Sequence, residues 1–481
     1  MTDKKLTDIE FVRKFSTCLY KNKRLLLGEA DFSKDFINTD RGDKYPLLFS
    51  FGDGCENIAG GEYVFRSENG CAARLLGHLS PYATYEATAE ELDGAFGFAF
   101  VSGDNKAVVT LKTGADGTVC VCGGEKEIKT EKRFRKGMAF SVQPVKERFD
   151  TYITDGAFPE YIGSFEFPGF ENCAKEDFFT RTQAGFYCEG NVTLKNVSFF
   201  MDSGISQADI RTVRYENGEV ITENGRIFLT ASVRIAAGCY QGVFSWIPGT
   251  EEFELTGALF FNAGDGVWEN DVATSLIFDR KTKKWLLWVC AFSHGHILGH
   301  AGFEADPRYG KNVIDITLVP ELSPDDPDEK FGGRSGDEDP DLFFDEDAGK
   351  WRLAVCRTAK NEGYCYFFFE SDSPFDGFRF TGRGVKGAET GGSFFRYHGR
   401  LYFICGNSFE KHSDYRVYEW GKPGAFLPLK ADFPDGGFRG WGTVFTVKQG
   451  TREKLYHLTF DRHNGSAWNW SYGNIYCFEG R

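Results

Sequence analysis

The chain has 481 residues, with 56 Lys and Arg against 70 Asp and Glu, leaving a net charge of −14. That balance excludes a nucleic-acid binder of the basic-faced kind, because phosphate contacts need clustered Lys and Arg. No window approaches the ~18 apolar residues of a membrane helix, and 49 Phe, 20 Tyr and 9 Trp among 57 Gly point to aromatic strands broken by turns.

A chain this long implies two or more domains. Its opening, MTDKKLTDIEFVRKFSTCLYKNK, lacks the apolar core of a signal peptide, and the 13 cysteines are odd in number and scattered, several inside strand patterns (Cys290, Cys356, Cys405, Cys477). Both features fit a cytoplasmic protein with reduced thiols. Cys120-Val-Cys122 and the other cysteines lack paired spacing for zinc or redox work and read as packing residues. Residues 1–30 form a lead, with a helix predicted from Asp8 to Tyr20. From 31 to 203 the segments GEYVFRS, AFGFAFVS, KAVVTLKTG, TVCVCGG, GMAFSVQPV, TYITD and NVTLKNVSFFMD read as short strands between turns, the arrangement of a β-sandwich. These strands resemble the concanavalin or laminin-G jelly-roll modules that accompany carbohydrate enzymes. Such a module binds sugar through exposed aromatics, or serves structurally by packing on a neighbouring domain or pairing copies into a homo-oligomer; both roles stay open.

From 204 to 481 one pattern recurs five times: an acidic turn, an apolar strand, a short polar turn and a second aromatic-rich strand. The units begin at Ala208, Asn270, Glu338, Ala388 and Gly440. The first four carry an acid at their second position, Asp209, Asp271, Asp339 and Glu389, spaced by 62, 68 and 50 residues, and 53 more reach Gly442. Such a period is that of a propeller blade of four strands. The predicted fold is all-β: a sandwich followed by a five-bladed β-propeller whose inner strands start at one end of the axis, so that the four acids converge there. Each acid, taken singly, is as well explained as a turn cap.

The units resemble the five-bladed glycosidases of glycoside hydrolase family 43 and the related fructan hydrolases. The resemblance rests on Ala208-Asp209-Ile210, on Glu338-Asp339-Pro340 followed by Leu342-Phe343-Phe344, and on Ala388-Glu389-Thr390. It implies Asp209 as catalytic base, Asp339 as the acid that tunes its partner, and Glu389 as general acid. Two carboxyl groups flanking a glycosidic bond, one protonated and one ionised, are what glycoside hydrolysis needs, and close carboxylates in a confined pocket push their pKa values apart. Asp202 is a rival base, Asp271 a rival for the role of Asp339, and Asp341, two residues after Asp339, shares its strand face by the period of two. Where the family orders a central ion with a Gly-His-Gly turn, this chain reads Gly440-Trp441-Gly442, so no metal and no cofactor is expected, and Trp441 offers a ring for sugar stacking or for core packing.

Ser293-His294-Gly295-His296, with His300 four residues on, presents imidazoles for substrate contact, loop hydrogen bonding or a metal. Arg234, Arg334, Arg357 and Arg439 flank blade turns, where a guanidinium pairs with a carboxylated sugar or with the acids themselves. The expected substrate-binding residues are Asp271, His294, His296, Arg357 and Trp441. The expected activity is that of an exo-acting, inverting glycoside hydrolase removing one terminal sugar from an oligosaccharide, with neither nucleic acid nor membrane as partner. A glycoside phosphorylase of the same propeller type and a non-catalytic sugar-binding propeller are the alternatives.

Overall fold

The computed structural model describes residues 5–17, 19, 24–32, 44–156, 159–204, 206–235, 238–323, 334–359, 363–385, 387–407, 414–420, 427–431, 438–449, 452–461 and 474–481. They form two compact units, one of residues 1–23, 203–265 and 269–481, the other of 24–202 with 266–268. No helix among the described residues is long and apolar enough to cross a membrane.

The first unit is a five-bladed β-propeller. Its inner strands are Ser206–Thr212, Val272–Asp279, Arg334–Asp345, Gly387–Tyr397 and Phe438–Gln449, and each lies against the next around a closed ring. Outward from them, each blade adds antiparallel strands, for example Arg226–Ile235, Gly238–Trp246 and Phe253–Asn262 in blade one. Period-two alternation sends successive side chains of a strand to opposite blades. Thus Trp285, Leu287 and Val289 join the core facing blade one, whereas Leu286 and Trp288 join the core facing blade three. Equivalent cores fill the gaps between blades three and four and between four and five. Trp246 of blade one closes the circle against Phe445 and Tyr456 of blade five. Each such side chain, fully buried, contributes roughly 1.5–3 kcal/mol.

The expected helix in the lead is instead a strand. Glu10–Thr17 pairs with Ile475–Gly480 and with Lys430–Ala431, completing blade five, and only Leu6–Asp8 forms a 3-10 turn. Its Phe, Val and Thr residues favour a pleated surface, and two strands already in place supply the hydrogen bonds. Residues 1–30 are therefore divided, the first part serving the propeller.

Among the described residues the strands of the second unit are hydrogen-bonded into one 13-stranded sheet. Its spine is a pair of long antiparallel strands, Thr84–Ser102 and Gln183–Asp202. Each changes outer partner along its length: 85–89 pair with Met138–Pro144, while 95–102 pair with Asn105–Thr113. The change falls at Gly94, opposite Gly190, with φ of 147° and 76°. A Cβ on Gly94 would strike the carbonyl oxygen of Glu189, so only glycine permits the two chains to cross so closely. Asp202, the rival base, ends this spine and accepts the Thr84 hydroxyl at 2.6 Å.

At the heart of the propeller Arg214 donates to both oxygens of Asp341, at 2.8 and 2.7 Å, and to the carbonyls of Phe394 and Leu342. Asp341 also accepts Ser275 Oγ–H at 3.0 Å and Phe394 N–H at 2.6 Å. Both charged residues are buried. Asp341→Ala leaves the guanidinium uncompensated and is expected to destabilise the protein by about 3–5 kcal/mol, read from the denaturant midpoint. Asp372→Asn, which removes an exposed pair with Lys350, is expected to leave that midpoint in place.

Candidate active site

Every inner strand slips register at an equivalent place: between Ala208 and Arg211, Val272 and Ser275, Glu338 and Asp341, Thr390 and Ser393, and Arg439 and Gly442. In blades one to four these are β-bulges that place two residues opposite one and re-aim side chains. The first bulge residue is left-handed wherever its conformation is described: Asp209 (φ 51°), Ala273 (61°), Asp339 (49°) and Gly391 (62°). Asp enters this region more readily than most residues.

The bulges correct the expected register of the four acids. Asp209 and Asp339 are equivalent, but Asp271 and Glu389 each stand two residues before their bulge, level with Gln207 and Asp337. Residues at that earlier level act as ties. Asp271 accepts Ser293 N–H at 3.0 Å and Ser293 Oγ–H at 2.7 Å, and burial raises its pKa. Asp337 holds Arg357 Nε–H at 2.8 Å, with both groups buried, so Arg357 is a structural partner and not a substrate ligand. Glu389 is wholly buried. Its oxygens accept Tyr366 N–H at 3.1 Å, Val385 N–H at 3.2 Å, Arg416 Nη1–H at 3.0 Å and the Tyr418 hydroxyl. Burial pushes its pKa up, while those donors pull it down. On balance its pKa is raised, burial outweighing the donors, and the four partners fix its position between strands.

A different set converges at the bulges of blades one and three. Asp209 accepts Ser232 Oγ–H at 2.6 Å. Asp339 accepts Thr390 Oγ1–H at 2.7 Å and Gly391 N–H at 2.9 Å. Arg211, buried, donates to the Pro340 carbonyl at 2.6 Å within the field of Asp341, Asp339 and Asp209. Glu338, immediately before Asp339, places Oε2 3.4 Å from His296 Nε2. Glu338, Asp339 and Cys356 bring one oxygen, one oxygen and the sulfur within 4.8 Å of one another. Burial pushes the Glu338 carboxyl up to about 7; Asp339 and Asp209 add to the rise and His296 opposes it. Its side chain nevertheless stays 15% exposed, so it exchanges protons with solvent. Here, then, are neighbouring carboxyl groups of which Glu338 has its pKa raised, chiefly by burial.

Glu338 lay in the quoted Glu338-Asp339-Pro340 motif without a role, because alternation turns adjacent strand residues apart. Pro340 was the available signal: proline within a strand marks an edge or a bulge, and here it stands at both. Asp341 does not act with Asp339, since the bulge separates them and Asp341 serves Arg214.

The histidines part company. His294 Nδ1 lies 2.9 Å from Ser293 Oγ, and its Nε2 lies 4.0 Å from Asp265. His296 stacks near Phe292, with centroids 4.6 Å apart, and meets Glu338. His300 packs between Trp288 and Phe375. The side chains of Trp441, Arg234, Arg334 and Arg439 lie outside the described residues.

No protein-family model and no curated protein sequence matches the chain. Solved structures similar to it include a GH43 β-1,3-galactosidase with galactodeoxynojirimycin, at 12% identity over 56% of this chain and 93% of that one, TM-score 0.38. A GH62 hydrolase in complex with xylotriose has 12% identity over 58% and 92%, TM-score 0.39. An α-L-arabinofuranosidase from Podospora anserina in complex with cellotriose has 11% identity over 58% and 91%, TM-score 0.39.

Because the Glu338 pKa is raised from its ordinary 4.5 to about 7, the folded protein holds this proton more tightly than the unfolded chain. The resulting stabilisation is complete below the ordinary value and is lost as pH rises through about 7. Difference infrared spectra are expected to show a protonated carboxyl disappearing through that range. The band is absent in Glu338→Gln and moves to higher pH in His296→Asn, which removes the opposing imidazole. A band unaltered by Glu338→Gln assigns the proton elsewhere.

Proposed function

We propose that the propeller unit is a glycoside hydrolase in which Glu338 is the general acid and Asp209 the base, with Asp339 between them keeping the proton on Glu338. The observation that carries this reading is Glu338 itself, a solvent-reached carboxyl held protonated near neutrality within the field of Asp339 and Asp209. Glycosidic cleavage requires that division of labour: one acid protonates the leaving oxygen while an ionised carboxylate acts on the other side of the sugar ring. Ser232 orients Asp209, and Thr390 with Gly391 N–H orients Asp339, so the two carboxylates are pre-aimed by hydrogen bonds. His296, touching Glu338, is a positioning residue that limits how far the acid is raised.

The reading extends to exo-cleavage of a terminal sugar with inversion. Asp209 and Glu338 belong to blades one and three, with a blade between them, which supports the wider carboxyl spacing of roughly 6.5–9.5 Å that leaves room for a water, against ~5 Å in a retaining enzyme.

The test is hydrolysis of a panel of pyranosyl and furanosyl substrates, following the first anomer by NMR. Glu338→Gln is expected to lose roughly 10²–10⁴-fold on oligosaccharides but far less on aryl glycosides whose leaving phenol needs no protonation. Asp209→Asn is expected to fall on both. The alkaline limb of kcat/KM, near pH 7 in the wild type, disappears in Glu338→Gln. Activity that survives Glu338→Gln on oligosaccharides, or that vanishes only in Glu389→Gln, overturns the assignment of the acid.

A further inference from the structure

In the second unit, Thr118–Gly123 and Lys126–Arg133 form a hairpin at one edge of the sheet, with Lys126–Arg133 as the terminal strand. Cys120 and Cys122, two apart, put both thiols on the outer face, opposite the buried Val119 and Val121. The two Sγ atoms are 3.8 Å apart. Glu127, the cross-strand partner of Cys122, completes a group whose ligand atoms all lie within 4.8 Å of one another. Sequence spacing alone assigned these cysteines to packing; the hairpin register adds the third ligand that spacing does not reveal.

The sulfur separation is that of an S–H···S contact between two reduced thiols, and it also matches joint ligation of one cation. Zinc–thiolate bonds of about 2.3 Å at a tetrahedral angle hold two sulfurs about 3.8 Å apart, the separation already present. A disulfide needs about 2.05 Å between sulfurs and Cα atoms within about 6.8 Å, whereas alternate residues of an extended strand stand about 6.5 Å apart, at the limit of that range. Lys112 and Lys129 are the cross-strand neighbours of Cys120.

We propose that Cys120, Cys122 and Glu127 form a site for a thiophilic divalent cation of the zinc class, water taking the fourth position. Because the ligands come from both strands of the hairpin, the cation ties the edge strand to its neighbour.

The test uses the full-length protein, reduced and stripped of metal, titrated with cobalt(II) and then zinc. One equivalent of cobalt is expected to produce the near-ultraviolet thiolate charge-transfer band, which zinc abolishes. Cys120→Ser and Cys122→Ser each remove the band, and Glu127→Gln weakens binding at least tenfold. A wild-type band no larger than that of the double serine variant overturns the proposal. A second measurement needs no variant: mass-spectrometric mapping of alkylation with and without zinc. Protection of Cys120 and Cys122 above the other cysteines supports the site, and equal labelling in the two conditions overturns it.

Discussion

In blades one, three and five the inner strand is an edge of its sheet, and its axis-facing backbone groups must find partners other than a further strand. The Arg214–Asp341 pair meets that constraint. Arg214 takes the carbonyls of Leu342 and Phe394, and Asp341 takes the Phe394 N–H together with Ser275 Oγ–H, whose oxygen in turn accepts the Leu342 N–H at 3.2 Å. Blades two, three and four are thereby locked at one level. Neither charge tolerates the interior alone, so each holds the other in place, and the backbone groups they satisfy are fixed in register as a consequence.

That fixed register makes the bulges useful. A left-handed residue in each inner strand costs on the order of 1–3 kcal/mol when it is not glycine. In blades one and three the residue is aspartate, and in blade four glycine. Where aspartate stands, the slip turns its carboxyl towards hydroxyl donors of the next strand or blade, Ser232 for Asp209 and Thr390 for Asp339. In blade three it also brings Glu338 to the same side, a carboxyl whose pKa burial and two neighbouring acids raise against the pull of His296. The acids one level earlier face guanidinium, tyrosine and amide donors and carry the load between strands. Position relative to the bulge separates the acids beside Glu338 from those tied to guanidinium, hydroxyl and amide donors.

The second unit handles its backbone differently. A single sheet bends where Gly94 crosses Gly190, so two long strands take one set of partners before the bend and another after it. One of its edges is the strand Lys126–Arg133, whose charged residues discourage further pairing. A cation held by Cys120, Cys122 and Glu127 would add a cross-link at that edge.

Much of the propeller was legible in residue order, because its information is local: hairpin turns at His398-Gly399 and Gly349-Lys350, alternating apolar runs such as Trp285 to Val289, and an acid-led repeat about five times over. Those features follow from side-chain period and turn chemistry, which act within a few residues. The lead strand Glu10–Thr17 was not legible, since its partners lie more than 400 residues away and its own pattern is compatible with a helix. Nor was the roster of the site. A bulge is a property of two paired strands, so the two-residue offset that removes Asp271 and Glu389 from the level of Asp209 and Asp339 leaves no mark on spacing, save for Pro340. The amino-acid order by itself determined the all-β blades and the supply of carboxylates. Which carboxylate keeps a proton was decided only in the folded ring, where burial and charge depend on neighbours drawn from separate blades.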